Sequence, residues 1–155
     1  MSATANLLRR LGHKKWLASM SPVFVPVDRV LLKLTKGKIN AIGRSSLPAL
    51  LLTTIGAKSG LERTVPLMYC QDGDAIIVTA SNWGKEHHPA WSANLLANPE
   101  ATMDIGGRPV PVRAELAEGA LRERLWPKLI EFWPAYDTYE ERSGRDIRVF
   151  RLTRI

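Results

Sequence analysis

A chain of 155 residues, 45% hydrophobic and 24% charged, has the size and composition of one globular domain, with none of the marks of a disordered chain. Its single cysteine, Cys70, excludes an internal disulfide, and no stretch approaches the ~20 apolar residues of a membrane span. The net charge of +7 is local: residues 1–44 hold nine Lys/Arg against Asp28, while the remainder carries 13 of the 22 basic and 14 of the 15 acidic groups, which argues against a nucleic-acid-binding domain.

In chain order, Leu7–Met20 has helix-forming residues, with Leu7, Leu8, Leu11 and Ala18 on one side and Pro22 just past its end. A second short helix is predicted from Pro26 to about Thr35, and a loop over Gly37–Pro48. Residues 1–44 thus read as a basic helical arm and 45–155 as the domain proper. Ala49–Ile55 suits a buried strand. Arg63–Gln71 and Ala75–Ser81 read as a hairpin turning at Asp72-Gly73. A helix over Pro89–Ala97 leads to a second hairpin, Ala101–Ile105 and Pro109–Leu116, turning at Gly106-Gly107. Glu118–Trp133 is helical, and Ile147–Leu152 alternates as a last strand. Five or six strands without alternating βαβ units predict an α+β, mainly β fold: a small antiparallel barrel with flanking helices.

Three segments carry candidate chemistry. Gly56-Ala57-Lys58-Ser59-Gly60, with Arg63 beyond it, lets successive N–H groups face one concavity, flanked by cations and a hydroxyl suited to phosphate or carboxylate. It is not a Walker loop, which needs a helix where this chain has a strand. Solvated charges on an ordinary strand connection are the alternative. Ser81 to Leu95 runs from a strand end through a polar loop into a helix. Trp91 could wall a planar ring or anchor the core, and Asn94 lies one turn away on a similar face. His87-His88 diverge and lack a third ligand, so no metal is expected. Tyr136 and Tyr139 follow a proline break, either covering an apolar pocket as proton donors or simply packing.

Together, LLTTIGAKSGLERTVPLMY, ASNWGKEHHPAWSANLLANP and FWPAYDTYEERSGRDIRVFRL resemble the deazaflavin-dependent nitroreductase family, over about two thirds of the chain from Leu50 onward. The resemblance implies a split β-barrel akin to flavin mononucleotide (FMN) barrels, and coenzyme F420 in preference to FMN. Lys58, Ser59, Gly60 and Arg63 would then bind the acidic tail of the cofactor. Pro66, Met68, Thr79, Ala80 and Ser81 would line its ring, and Trp91 and Asn94 would complete the pocket. Ser81, Tyr136 and Tyr139 would face substrate. The chain departs from the family at Asn82-Trp83, where relatives often carry lysine after the serine, and Lys85 could replace that charge. The implied activity is hydride transfer from F420H2 to a quinone, activated alkene or nitroaromatic. A non-catalytic deazaflavin or FMN carrier is the alternative.

The expected setting is cytoplasmic, as a monomer or weak homodimer with a small-molecule substrate and no nucleic acid. Residues 1–20 are expected either to touch the anionic inner face of the membrane or to form a solvated tail.

Overall fold

The computed structural model describes residues 3–36, 39–40, 43–44 and 47–155. Three helices lead: α1 (Ala3–Leu11), α2 (Lys15–Ser19) and α3 (Ser21–Leu34). The single helix expected over Leu7–Met20 is therefore broken. Its breaking point, Gly12, lies against Trp133, where a Cβ would sit 2.7 Å from the indole. Pro22, expected as a stop, occupies the first turn of α3, where its missing N–H has no helical partner to lose. Pro26, expected near a helix start, lies inside α3. Within the loop expected over Gly37–Pro48, Ile39–Asn40 (β1) pairs antiparallel with Gly43–Arg44 (β2). Gly37, Lys38, Ala41, Ile42, Ser45 and Ser46 lie outside the described residues, and so does the expected start of the domain at residue 45.

Six strands form the body: β3 (Ala49–Ile55), β4 (Glu62–Asp72), β5 (Ala75–Thr79), β6 (Glu100–Asp104), β7 (Pro109–Leu116) and β8 (Val149–Arg154). They close an antiparallel barrel in the order β3-β4-β5-β8-β7-β6, and Leu52 opposite Met103 seals the seam between β3 and β6. The α+β architecture expected from the strand pattern, an antiparallel barrel with flanking helices, is the one that forms, and it agrees with the split barrel that the resemblance implies. The first hairpin pairs Asp72 with Ala75, so its two turn residues are Gly73-Asp74, one later than expected; Gly73, at φ +61°, takes the left-handed position.

Period-two alternation divides the apolar side chains between two layers. Leu50, Leu52, Val78, Met103, Val112, Phe150 and Leu152 fill the barrel, joined by Trp91 and Leu95 from helix α4 (Ala90–Ala97). Helices α5 (Gly119–Phe132) and α6 (Ala135–Ser143) form the second layer. Their Leu125, Leu129, Trp133, Tyr136 and Tyr139 cluster with Ile77 and Val149, with Met68 and Cys70 packed at the margin. Each fully buried leucine of this kind contributes roughly 1.5–3 kcal/mol. The segment after the proline break, with Tyr136 and Tyr139, is thus a helix, held by the apolar layer beneath it.

The basic arm lies on this body. Helix α3 packs against β3 and β4, and α2 against the segment after β5. The Tyr139 hydroxyl donates to the Gly12 carbonyl at 2.6 Å, and Arg142 donates to the His13 carbonyl at 2.7 Å.

Candidate active site

The turn between β3 and β4 is built largely from its own backbone. Gly56 N–H donates to the Leu61 carbonyl and Gly60 N–H to the Gly56 carbonyl, both at 2.8 Å. The Ser59 hydroxyl accepts from Leu61 N–H. A Cβ at Gly56 would collide with that hydroxyl, so glycine is needed there. Ala57 N–H is taken by the Asn94 carbonyl oxygen at 2.9 Å, and the Asn94 amide donates to the Thr54 hydroxyl at 3.0 Å. Asn94 is itself buried, so α4 clamps the turn from behind. The expected row of free N–H groups is therefore reduced: within residues 56–61, the Lys58 and Ser59 amides alone make no bond inside the turn or to Asn94. Anion affinity falls mainly to side chains. Lys58 and Arg63 are exposed, and neither has a carboxylate partner among the described residues.

Beyond Arg63, β4 points Pro66, Met68 and Cys70 outward, on the side away from Val65, Leu67 and Tyr69 of the barrel core. All three outward residues are only partly buried, leaving an apolar face next to the cationic turn. Thr79 ends the neighbouring β5, and both it and Tyr136 are buried. Ser81 is half-buried where the chain leaves the barrel. A cationic turn, a half-open apolar strand face and a hydroxyl at the strand end suit a cofactor with an acidic tail and a planar ring. A shallow cavity of about 280 Å³ at the opposite chemistry, bordered by Asp137, Glu140, Glu141 and Asp146, would repel such a tail.

Other expected site residues are engaged elsewhere. Trp91 is buried in the barrel with its ring 5.8 Å from Phe150, as a core anchor would be. Ala80 is fully buried, and its N–H donates to the Arg148 carbonyl. Lys85 reaches the arm, donating to the Ser21 hydroxyl at 2.9 Å. Tyr136 and Tyr139 are both buried. Burial raises both phenol pKa values, so the two groups stay neutral. Among the described residues no cluster of His, Cys, Asp or Glu could hold a metal ion.

The loop after β5 is the most distorted backbone near the site. Asn82, Trp83 and Gly84 are left-handed in succession, at φ +46°, +58° and +73°. For a bulky tryptophan that conformation costs about 1–3 kcal/mol unless its surroundings hold it. Arg145, which sequence reasoning did not single out, bridges the two ends of this loop. Its guanidinium donates to the carbonyls of Lys85 (3.0 Å), Ala80 (3.2 Å) and Ser81 (2.7 Å), and to His88 Nδ1 (2.9 Å). The only available signal was its place directly after Gly144, the left-handed residue closing α6.

Comparison with known proteins agrees with this geometry. Residues 31–154 match the family model described as F420H2-dependent quinone reductase. An F420H2-dependent quinone reductase of Mycobacterium tuberculosis is 37% identical over 123 residues, covering 77% of this chain and 83% of that protein. Among solved structures, an F420-H2 dependent reductase superposes with a TM-score of 0.62 at 38% identity, covering 68% of this chain and 93% of that one. A domain-swapped dimer superposes with a TM-score of 0.64 at 32% identity, covering 89% and 97%. The family match over residues 31–154, with a 37% identical relative covered over 83% of its length, shows that the chain belongs to the F420H2-dependent quinone reductase family.

Proposed function

We propose that this oxidoreductase uses F420H2 to reduce a quinone, with Lys58, Ser59, Gly60 and Arg63 holding the acidic tail of the cofactor. The observation that carries the assignment is the pair of exposed, acid-free cations on a turn that Asn94 holds in place. Gly60, at φ +66° with open space where a Cβ would stand, leaves room for a ligand against the backbone. Pro66 and Met68 provide the apolar wall for the ring, while Thr79 and Ser81 border its edge. The bound cofactor supplies hydride chemistry; the protein supplies grip, orientation and exclusion of water.

Of the three expected proton-handling groups, Ser81 is the one that is only half-buried, which supports its role beside the substrate. Tyr136 acts by packing the helical layer against the barrel, and Tyr139 by fastening the Gly12 turn. An electron-poor alkene or nitroaromatic of similar width would meet the same wall. Titration of cofactor fluorescence tests the anion site. Lys58→Ala with Arg63→Ala should weaken F420 binding by ~100-fold, taking about 1.4 kcal/mol for each charge-assisted contact. Unchanged affinity, or binding of FMN alone, would remove the assignment.

The arm supports a second element of the proposal, contact with an anionic membrane surface. No described helix is long and apolar enough to cross a membrane. Met20, Val23, Val27, Val30 and Leu34 nevertheless form an exposed stripe along α3 at alternating three- and four-residue spacing, extended by exposed Trp16. Exposed Lys14, Lys15, Arg29, Lys33 and Lys36 accompany it. The contact face thus moves from residues 1–20 toward 14–36. Dense like charge opposes pairing of two such stripes and favours acidic headgroups, where an apolar quinone also resides. Val27→Glu with Val30→Glu should abolish sedimentation with anionic vesicles. Equal sedimentation with neutral vesicles, or a stripe-dependent dimer in solution, would refute the membrane reading.

A further inference from the structure

The loop 80–88 carries Ser81 into the site, yet its shape is set by a residue of the third motif that was assigned no role there. Its own bonds are few: Gly84 N–H to the Ser81 carbonyl, Lys85 N–H to the Asn82 carbonyl, and the Asn82 amide to the His87 carbonyl. These close tight turns, but they do not compel two non-glycine residues into the left-handed region. Packing leaves no slack, since a Cβ at Gly84 would lie 2.9 Å from Tyr139 Cδ1 and 3.1 Å from its Cα.

Among the described residues, Arg145 is the one side chain that hydrogen-bonds both ends of this distortion from outside the loop. It grips the carbonyls of Ala80 and Ser81 before it, and the Lys85 carbonyl and His88 Nδ1 after it. Its charge is answered by main-chain oxygens; no carboxylate forms an ion pair with it among the described residues. A planar fork with five donors can span four acceptors in fixed directions, which a lysine ammonium cannot. The His88 contact further requires an unprotonated Nδ1, so this imidazole is neutral with its hydrogen on Nε2. Burial and the neighbouring Arg148 and Arg145 cations favour that neutral form.

We propose that Arg145 is a positioning residue for the reductase site: its guanidinium stitches the two ends of the 80–88 loop together, and so fixes Ser81 and the Thr79 strand end against the cofactor ring. The cofactor part of this inference rests on the site proposed above; the loop part does not.

The experiment compares wild type, Arg145→Ala and Arg145→Lys. Amide hydrogen exchange is first measured on cofactor-free protein. Exchange at Gly84 and Lys85 should accelerate ~10-fold or more in both variants, while the barrel-strand amides keep wild-type rates. F420 affinity should fall ~10-fold in both, as expected for lost charge-assisted bonds, and added guanidinium should restore part of it to Arg145→Ala alone. A uniform rise in exchange across the barrel would mean a general stability role and overturn the proposal. Wild-type loop exchange in either variant would also overturn it. Loop loosening without any change in F420 affinity would refute the link to the ring. Wild-type protein that fails to bind F420 would sink the proposed function and the cofactor link together, with the loop clamp still decided by exchange.

Discussion

Replacing Asn94 with alanine separates the fold from the anion turn more cleanly than any change to the turn itself. Two bonds disappear: Asn94 to Ala57 N–H at 2.9 Å and Asn94 to the Thr54 hydroxyl at 3.0 Å. Ala57 is exposed, so water can replace its partner at little cost. Thr54 is fully buried, and stranding its hydroxyl costs about 1–3 kcal/mol. Adding the small net loss at Ala57 gives about 2–3 kcal/mol, or roughly 4–10 °C in Tm for a chain of this length. Urea unfolding measures that loss, and fluorescence titration measures F420 affinity. Asn94→Asp supplies the contrast. It retains an acceptor for Ala57 but brings a negative charge behind the site, so its affinity loss should exceed that of alanine. If alanine leaves stability within 0.5 kcal/mol of wild type, a value ~4-fold below the smallest estimate, the clamp is not what holds the turn. If aspartate binds F420 as well as alanine does, the anion is not held there.

Other expectations follow from single contacts. Gly84→Ala adds a Cβ against Tyr139 at φ +73°, whereas Gly60→Ala meets only its positive φ, with open space around it. The first should cost at least ~2 kcal/mol and the second ~1 kcal/mol in chemical unfolding, and equal losses would contradict the packing. Gly12→Ala must displace the Trp133 indole, so limited proteolysis should cut the arm faster; an unchanged rate would show the arm is not fastened there. Arg124 and Lys128 beside Asp72 hold its carboxyl down to about 2, from an ordinary 3.8. The folded chain thus binds this proton more weakly than the unfolded one. The stabilisation is complete above 3.8 and disappears as the pH falls through about 2. Wild type should therefore outlast Asp72→Asn in urea at pH 7, with the gap narrowing toward pH 2; a gap independent of pH would refute this.

What could be read from sequence was whatever a short repeat encodes. The run Ala49–Ile55 and the alternation in β8 locate barrel strands because side chains two apart share a face. Lys58, Ser59 and Arg63 were legible because they surround a strand turn as a local group. Asn94 was noticed for its spacing from Trp91, but its actual partners lie 37 and 40 residues earlier, and no periodicity records that. Gly12 looked like a tolerated helix glycine because its competitor, Trp133, is remote in the chain. Arg145 was invisible for a deeper reason. Its acceptors are mostly backbone carbonyls, which every residue carries, so only the folded path distinguishes them.

The last barrel strand in chain order, β8, sits between two strands that precede it, β5 and β7. Until residues 149–154 are available, two older strands face each other across a gap, each with an unpaired edge open to a foreign chain. A ribosome adding about 5–20 residues per second leaves the rim of β7 bare for roughly 2–8 s, the time taken to make residues 117–154. Closure of the barrel therefore waits on residues 149–154. Loss of a handful of C-terminal residues would not trim this enzyme but leave it as a sticky half-shell.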